Sequence, residues 1–567
     1  MINDDKQKLL TEIECLKKEL KKNKRYGLVW EDKPEDVVEV CKTKLPVLKE
    51  VKSKEIMTDK DKSVNLLIEG DNYHALSVLN YTHAKKIDVI YIDPPYNTGN
   101  KSWKYNNSYI EKDDTFKHSK WLSFISKRLL LSRELLRDSG IIIVTIDDYE
   151  VGNLRPLMDR VFGEDNRLGL ITIVHNPRGR SDDLYFATSH EYALIYARNA
   201  KKTKTYKLRL TEEQVENFQF EDEISRYRLL PLKRTGSNST PKERPNLFYP
   251  IYFNPQTLQL DVEKIAGFMQ ILPLDSDGGK RVWRWGKQTF MERVLTEIVV
   301  RGEKGSFNIF AKDRIKEGRK PKTVWSDPKY DASSHGTILL MNILGVRKSF
   351  EYPKSLYAVK DLLEVTVAER KNATILDFFA GSGTTGHAVM QFNKEDGGNR
   401  KFILCTNNED NNGTGYKIAE DICYPRIKKV IKGYINLKGK KEKGLGGNLK
   451  YFKTDFVDAE PTDKNKIKLT KQATEMLCVK EGTFEKDLDQ KNFKVFKNTD
   501  HYTGIIFDQI AIPEFKKAIQ SIKAKFSVYI FSLGDDTFDE EFEDMKQKVQ
   551  LSPIPEAILR VYRRIFK

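Results

Sequence analysis

An apolar run that ends at two consecutive prolines constrains the fold of this chain more than any other feature. Residues 89–92 read Val-Ile-Tyr-Ile, and residues 93–96 read Asp-Pro-Pro-Tyr. Branched and aromatic side chains predict a buried strand for the run. The prolines exclude a helix and remove two backbone N–H donors, so the strand must end in a turn. We expect this turn to leave the Asp93 carboxylate and the Pro94 carbonyl as acceptors beside the ring of Tyr96.

Acceptors beside a flat ring suit a flat heterocycle that carries an NH2 group, such as adenine or cytosine. The same four residues are also an ordinary way to end a strand in a turn. The segment alone leaves both interpretations open, and the rest of the chain has to decide between them.

A second turn of interest follows the predicted strand at residues 374–378. Residues 379–386 read Phe-Ala-Gly-Ser-Gly-Thr-Thr-Gly, and an apolar, helical stretch begins at His387. The order strand, glycine turn, helix brings the backbone close to a ligand at the carboxyl edge of an α/β sheet. Thr384 follows Gly383 where a nucleotide-triphosphate loop requires lysine, so this turn is not of that class.

Strand-like and helical patterns alternate from residue 64 to residue 200 and again from 336 to 435. Predicted strands are 64–68, 88–92, 141–146, 170–174, 192–196, 374–378 and 402–406, with helices near 73–83, 119–138 and 150–162. This rhythm predicts an α/β fold with a doubly wound, mostly parallel sheet. Loops after neighbouring parallel strands meet at one crevice, so we expect the two turns to converge there.

The stretch from 201 to 335 lacks this rhythm and is rich in aromatic and basic residues. Residues 281–287 read Arg-Val-Trp-Arg-Trp-Gly-Lys. Such a surface suits a DNA backbone and exposed bases. Trp283 and Trp285 would equally serve as the core of a small domain.

The two ends of the chain carry further elements. Residues 6–24 predict a helix whose apolar stripe either covers the core or forms a dimer contact. A basic segment at 438–444 predicts a linker or an exposed loop. Residues 450–567 alternate helical, strand-like and charged patterns, which predicts a small α/β domain.

Composition favours a polyanionic partner and a reducing compartment. The 567 residues carry a formal net charge of +16, and nucleic acid is the simplest partner for that excess. The five cysteines lie far apart without a C-x-x-C pair, so we expect neither a metal site nor a disulfide framework. The sequence has no signal peptide and no apolar run of membrane-spanning length. These features predict a soluble, cytoplasmic protein without membrane contact.

Together these segments resemble the DNA methyltransferases that methylate amino groups with S-adenosylmethionine. The resemblance is to the class in which Asp-Pro-Pro-Tyr precedes Phe-x-Gly-x-Gly (the beta class). More narrowly, it is to the modification subunits of type III restriction-modification systems and their stand-alone relatives. The matching stretches are residues 65–72, 91–100, 121–122, 140–148, 189–192, 350–354 and 377–386. They cover roughly residues 28–200 and 336–450.

The resemblance implies a permuted, Rossmann-like methyltransferase fold that is interrupted by a recognition domain. The implied organisation is an N-terminal helical segment (1–45), the first half of the catalytic domain (46–200), a target recognition domain (201–335), the second half of the catalytic domain (336–435) and a C-terminal α/β domain (436–567).

The resemblance also implies S-adenosyl-L-methionine as the cofactor and assigns site residues by position. The implied catalytic residues are Asp93, Pro94, Pro95 and Tyr96, with Asp93 and the Pro94 carbonyl as acceptors for the target amine and Tyr96 stacked on the base. The implied cofactor-binding residues are Asp71, Asp93, Lys354, Asp377, Phe379, Gly381, Gly383, Thr384, Thr385 and Glu409. The implied substrate-binding residues are Tyr96, Asn97, Asn100 and His190.

Several of these assignments have structural alternatives. Asn97 and Asn100 either shape the base pocket or cap the next turn. His190 either lines the pocket or is a buried, satisfied side chain. Lys354 either reaches the cofactor carboxylate or lies at the surface, and Asp377 is either a ligand or a turn-former.

The implied reaction is methylation of adenine N6 in double-stranded DNA, with the target base flipped out of the helix. Cytosine N4 is the nearest alternative, although those enzymes usually carry Ser at the position of Asp93; RNA is a further alternative substrate. The chain would also serve as the recognition subunit for a separate ATP-dependent nuclease or translocase, because it has no ATPase phosphate loop of its own. The resemblance further implies a homodimer and a bacterial or archaeal, nucleoid-associated protein.

Overall fold

The structure is a computed structural model. It describes residues 30–566 except 60–61, 107, 112, 180–183, 304–305, 348, 410–414, 535 and 537. The predicted helix at 6–24 lies outside the described residues. Two compact units are present: one combines the described residues up to Tyr206 with those from Pro321 onward, and the other is Lys207–Lys320.

The strands are numbered in chain order. The first stretch contains β1 (Lys44–Glu50), β2 (Val64–Glu69), β3 (Ile87–Ile92), β4 (Asn100–Tyr105), β5 (Ser108–Glu111), β6 (Leu136–Ile146), β7 (Arg167–Val174) and β8 (His190–Ala197). The second unit contains β9 (Phe220–Glu221), β10 (Arg226–Pro231), β11 (Ile251–Phe253), β12 (Leu260–Asp261), β13 (Met269–Ile271), β14 (Ile298–Glu303) and β15 (Ser306–Arg314). The last stretch contains β16 (Val324–Trp325), β17 (Thr374–Asp377), β18 (Lys401–Thr406), β19 (Gly433–Ile435), β20 (Lys441–Lys443), β21 (Asn448–Asp458), β22 (Glu485–Asp489), β23 (Phe493–Lys497), β24 (His501–Ile506), β25 (Lys525–Phe531) and β26 (Val549–Ile554).

The α-helices are numbered in the same way. They are α1 (Asp36–Thr43), α2 (Asn72–Thr82), α3 (Lys117–Leu135), α4 (Val151–Phe162), α5 (Glu212–Glu216), α6 (Lys287–Glu297), α7 (Leu339–Leu344), α8 (Leu356–Val367), α9 (Thr384–Asp396), α10 (Tyr424–Lys432), α11 (Asp463–Gln472), α12 (Thr474–Glu481), α13 (Ile512–Ile519) and α14 (Glu556–Ile565).

A ten-stranded sheet forms the centre of the first unit, in the order β1-β21-β2-β18-β17-β3-β6-β8-β7-β16. The six neighbouring strands from β21 to β6 are parallel. Strand β8 runs antiparallel to both β6 and β7. All six residues of β3 are buried, as expected for a parallel strand with both faces covered. The predicted α/β fold with a mostly parallel sheet is therefore confirmed.

The chain leaves β3 and β17 in opposite directions. From β3 it passes through α3 to β6, on one side, and from β17 it passes through α9 to β18, on the other. Strands β3 and β17 are hydrogen-bonded neighbours. This is a topological switch point, where an open α/β sheet leaves a crevice at the carboxyl ends of its strands.

The helices cover this sheet with regularly spaced apolar residues. In α3 the buried side chains of Trp121, Ile125 and Leu129 recur every four residues and line one face. Helix α2 begins where the Asp71 side chain accepts a hydrogen bond of 2.7 Å from the N–H of Tyr73, a usual N-cap arrangement.

The main sheet extends beyond the predicted end of the catalytic domain at residue 435. Strand β21 lies between β1 and β2, and Asn448 pairs with Val64 in parallel. The sequence gives no sign of this pairing, because it joins segments almost 400 residues apart. Strands β22–β26 form a separate five-stranded sheet. Side chains from this C-terminal region, among them Leu477 and Ile558, share one core with residues of the main sheet.

The unit Lys207–Lys320 contains a four-stranded sheet, a three-stranded sheet and a core of its own. Trp283 belongs to that core: it is 2% exposed, and its indole N–H donates to the Tyr249 carbonyl at 2.7 Å. Trp285 packs against the same core while partly buried. The interpretation of Trp283 as a core residue is therefore correct, and an exposed base contact by this ring is wrong.

Candidate active site

The two turns singled out in the sequence leave the same edge of the main sheet. Ile375 in β17 pairs with Val89 in β3, and Leu376 pairs with Ile90. By the same register, Asp377 at the end of β17 is level with Tyr91, two residues before Asp93. The expected convergence of the two turns follows directly from this pairing.

Two hydroxyls and one ammonium contact a single oxygen of Asp93. The Tyr96 hydroxyl lies 2.9 Å from Oδ1, the Thr145 hydroxyl 2.8 Å and the Lys354 ammonium 3.2 Å. Among the described residues, no hydrogen bond reaches Oδ2, and the side chain is 26% exposed. The carboxylate is thus held by one oxygen and has the other available as an acceptor.

Glu191 completes this cluster. Its Oε2 accepts from the Lys354 ammonium and lies 3.0 Å from the Tyr96 hydroxyl. The Lys354 ammonium also donates to the Tyr96 hydroxyl and lies 4.6 Å from the centre of its ring, within cation–π range. Glu191 is 4% exposed and Lys354 14%.

The charged groups of this cluster shift one another's pKa values. Burial raises the pKa of Asp93; Lys354 opposes that rise, and repulsion from Glu191 adds to it. The pKa of Glu191 is lowered, because attraction to Lys354, assisted by His175, outweighs burial. The pKa of Lys354 is raised, since the two carboxylates outweigh the burial of the ammonium. Asp93 is therefore the more readily protonated carboxyl of the two.

The residues predicted next to the substrate are distributed differently from the expectation. Asn97 is fully buried, and its amide donates to the Lys117 carbonyl and to Glu150 and accepts from Trp103. Its left-handed backbone (φ +58°) continues the turn. Asn97 therefore supports the loop from inside instead of lining a base pocket.

Asn100 begins the hairpin of β4 and β5. His190 begins β8, where its ring bonds the Tyr192 hydroxyl at 2.9 Å. Neighbouring residues of a strand face opposite sides, so His190 points away from the face where Glu191 meets Asp93.

The glycine loop after β17 has the backbone that its sequence requires. Gly381 and Gly383 have φ values of +47° and +79°. A Cβ at Gly381 would lie 3.2 Å from Cζ of Phe350, and one at Gly383 would lie 3.0 Å from Sγ of Cys423. Side chains at either position would meet both backbone strain and crowding. Phe379 is half-buried beside the loop.

The hydroxyls of this loop are engaged internally. The Thr385 side chain donates to Asp377 at 2.5 Å, and the Thr384 hydroxyl accepts from the fully buried Arg426 at 2.8 Å. Ser382 accepts from the same guanidinium at 3.0 Å. These bonds brace the loop, so its backbone groups are better placed to meet a ligand than its threonine side chains.

Asp71 sits at the start of α2, beside a buried ion pair. Its Oδ1 caps the helix and lies 3.4 Å from Arg128. The Arg128 guanidinium makes a bidentate pair with Glu35, at 2.6 and 3.1 Å, and donates to Asn72. Asn72 in turn donates to the Phe378 carbonyl at 3.1 Å. Asp71 is thereby tied to the strand that leads into the glycine loop.

Glu409 and Lys354 are the remaining predicted cofactor residues. Glu409 is exposed after β18, next to residues that the structure does not describe. Lys354 is largely buried at Asp93 and Glu191, as given above, so the surface alternative is wrong, and its contact with the cofactor carboxylate stays a prediction. Within the described ranges, no group of His, Cys, Asp and Glu side chains is arranged to hold a metal ion. Every described helix is also too short or too polar to cross a bilayer.

Sequence reasoning missed Glu191 and Thr145 as members of the site. Both lie inside strings that carried the resemblance, residues 189–192 and 140–148. Because side chains alternate between the two faces of a strand, the prediction of β8 already implied that Glu191 and His190 face opposite sides. No local pattern says that β8 lies beside β6, and that neighbourhood brings Glu191 to Asp93.

Comparisons with known proteins agree with this geometry. Residues 87–429 match the profile of the N6/N4 methyltransferase family, described as DNA methylase. The chain is 35% identical to the type II methyltransferase M.KpnI of Klebsiella pneumoniae over 67% of its own length and 91% of that protein. It is 33% identical to the Mod subunit of the type III restriction-modification enzyme EcoPI of Escherichia phage P1, over 75% of its length and 71% of that subunit.

A solved structure of M1.HpyAVI with SAM is also similar, at 13% identity and a TM-score of 0.28, over 64% of this chain and 98% of that one. At these values the likeness adds nothing to the assignment. The family match covers most of the chain and includes both turns, which confirms the resemblance seen in the sequence. The chain therefore belongs to the DNA methylase family.

Proposed function

We propose that this chain is a site-specific DNA methyltransferase that transfers the methyl group of S-adenosylmethionine to N6 of an adenine flipped out of double-stranded DNA. The observation that carries the proposal is the state of Asp93. Its Oδ1 is contacted by Tyr96, Thr145 and Lys354, while Oδ2 is an available acceptor at the sheet edge where the glycine loop begins. An acceptor of this kind is what an exocyclic amine requires.

The loop residues fit the proposed cofactor. The positive φ values of Gly381 and Gly383 let the loop turn tightly, so that its backbone borders the space at the carboxyl end of β17. Phe379 offers a half-buried ring next to this space, and Asp71 presents a carboxylate at the start of α2. S-Adenosylmethionine would supply an electrophilic methyl group on a sulfonium.

The chain's own residues would make the adenine amine reactive. Its nitrogen is a poor nucleophile because the lone pair is delocalised into the ring. Hydrogen bonds from its two N–H groups to Asp93 Oδ2 and the Pro94 carbonyl would localise that pair and stabilise the positive charge that develops during transfer. Asp93 would take up the surplus proton of the amine once the methyl group has passed from sulfur to nitrogen.

Tyr96 would stack on the extruded base. Its hydroxyl is anchored by Glu191 and Lys354, so the ring is held in one orientation. Stacking on an aromatic side chain is worth roughly 1–3 kcal/mol per base, which offsets part of the cost of unstacking.

The unit Lys207–Lys320 is proposed to select the DNA sequence, because it folds around its own core and interrupts the catalytic sheet. The similarity to a type III Mod subunit favours a second role beside a restriction subunit. A homodimer stays a prediction. Co-purification of an ATP-dependent subunit from the native cell would support that role. Its consistent absence would favour a solitary enzyme.

The reaction is tested by nucleoside analysis. Duplex DNA is incubated with the protein and S-adenosylmethionine that carries a labelled methyl group, then digested and analysed by mass spectrometry. We expect labelled N6-methyladenine. Labelled N4-methylcytosine would keep the site but replace the substrate base, and no label in either nucleoside would overturn the proposal.

A further inference from the structure

The Lys354 ammonium lies between two carboxylates of the candidate site. It contacts Glu191, lies 3.2 Å from Asp93 Oδ1 and donates to the Tyr96 hydroxyl. These four side chains come from three parts of the chain: the turn after β3, the second residue of β8, and the segment that precedes α8. Only the tertiary structure brings them together, and the reaction proposed above uses only one of the two carboxylates.

We propose that Glu191 and Lys354 are a positioning pair: Lys354 keeps Asp93 ionised, and Glu191 holds the ammonium so that Oδ2 stays free for the substrate amine. This inference rests on the proposed function, because it concerns the acceptor used there. The contact between Glu191 and Lys354 is the shorter of the two ion pairs, so the ammonium lies nearer to Glu191 than to Asp93.

Loss of Glu191 and loss of Lys354 would impair Asp93 as an acceptor in different ways. Without Glu191, the ammonium would pair with Asp93 alone and compete with the substrate for its oxygens. Without Lys354, two carboxylates would face each other in a buried site, and one of them would take up a proton. A protonated Asp93 is a weaker acceptor for the amine.

Titratable and polar side chains from several elements of the described structure surround Asp93. Tyr96 follows it in its own turn, and Tyr91 precedes it in β3. Thr145 approaches from β6 and Glu191 from β8, and Lys354 lies beyond them. Asp377 faces it from β17, since its carboxyl is influenced by the charge of Asp93. His175 acts on Glu191.

The pair predicts pH shifts of opposite sign. In Glu191→Gln the repulsion on Asp93 is removed and Lys354 pairs with Asp93, so the pKa of Asp93 falls. In Lys354→Met the attraction by the ammonium is removed and the repulsion by Glu191 stays, so the pKa of Asp93 rises. If methylation requires the ionised carboxylate, the acidic limb of the kcat/KM profile for DNA moves to lower pH in Glu191→Gln and to higher pH in Lys354→Met.

The experiment measures this profile for the full chain and its variants. We expect both substitutions to lower kcat at least about 10-fold, a size typical of lost positioning, while the KM for S-adenosylmethionine stays within about 3-fold. Lys354→Arg keeps the positive charge, so the acidic limb of its kcat/KM profile should match that of the wild type. Asp138→Asn serves as the matched control, because Asp138 is an exposed carboxylate at the other end of β6.

Shifts in the same direction, or an unmoved limb in Glu191→Gln, would overturn the positioning pair even if the rate falls. Thermal unfolding and calorimetric cofactor binding identify a variant that fails to fold; if Lys354→Met fails, Glu191→Gln and Lys354→Arg decide. A wild-type protein that methylates no DNA would overturn the proposed function, and the positioning pair with it. An active wild type with an unmoved limb overturns the pair alone.

Discussion

The Thr385 hydroxyl donates a hydrogen bond of 2.5 Å to Oδ2 of Asp377, at the point where β17 becomes the glycine loop. The N–H of Phe379 donates to the other oxygen at 3.0 Å. Both oxygens of Asp377 are thus used within the loop. The carboxyl acts as an internal brace, in agreement with the turn-forming alternative, and a direct contact with the cofactor stays a prediction.

The brace has a consequence for stability. Burial raises the pKa of Asp377 to about 7. Its contribution to stability is therefore present in acid and lost as the pH rises from about 4, the value for an unfolded Asp, to about 7. In Asp377→Asn this loss disappears. We expect the variant to gain stability relative to the wild type between pH 5 and pH 8, by at most about 4 kcal/mol. Urea unfolding at both pH values measures the difference; a gap that is the same at both would contradict the assignment.

Asp93 is expected to serve the reaction and not the cofactor. Asp93→Ala removes the acceptor for the amine, so methylation should fall by at least about 100-fold. Cofactor affinity, measured by calorimetry, should stay within a few-fold of the wild type. Asp165→Asn, an exposed carboxylate of the same unit, is the control for removal of a charge. Full methylation by Asp93→Ala would refute the role given to that carboxylate.

Gly381 is expected to be required for cofactor binding. Its positive φ disfavours any other residue, and a Cβ would approach Phe350 closely. Gly381→Asp should weaken cofactor binding at least about 10-fold, since the added carboxylate enters the space next to the loop backbone. Gly152→Ala in α4 is the control, because nothing lies within 4 Å of the added Cβ. Equal cofactor affinity in Gly381→Asp and the wild type would exclude this loop as the binding site.

The ring and the hydroxyl of Tyr96 can be separated by substitution. Tyr96→Phe keeps the stacking surface but loses the anchors to Asp93 and Glu191. Tyr96→Ala loses both. We expect Tyr96→Phe mainly to lower kcat. We expect Tyr96→Ala also to raise the KM for DNA by about 10-fold or more, as stacking energies of roughly 1–3 kcal/mol imply. Identical kinetics in the two variants would show that the ring does not contribute to base binding.

The buried ion pair of Arg128 and Glu35 offers a test of the structure that does not depend on function. Removing one partner leaves an unpaired buried charge, so Arg128→Met should lower the free energy of unfolding by about 3–5 kcal/mol. The double variant Arg128→Met/Glu35→Gln should recover part of that loss. Lys204→Met removes one partner of an exposed pair with Glu369 and should cost less than about 1 kcal/mol. A similar cost for Arg128→Met and Lys204→Met in denaturant unfolding would argue against the buried pair.

Local patterns determined much of this protein. The prolines after Ile92 had to end a strand, and the positive φ of Gly381 and Gly383 matches what a tight turn before a helix requires. The predicted strands and helices of the catalytic region are present, because each leaves a trace in the sequence: a continuous apolar run for a buried parallel strand and a periodic pattern for an amphipathic helix. The same trace placed Asp93 and Gly381 at one edge of the sheet.

Only the tertiary structure decided which side chains meet there. The neighbourhood of β6 and β8 brings Thr145 and Glu191 to Asp93, while the order of residues along β8 turns His190 away. Lys354 lies at Asp93 and Glu191, and β21 enters the main sheet from the far end of the chain. These outcomes depend on pairings between distant strands and on the balance of buried charges, and neither leaves a mark in the local sequence.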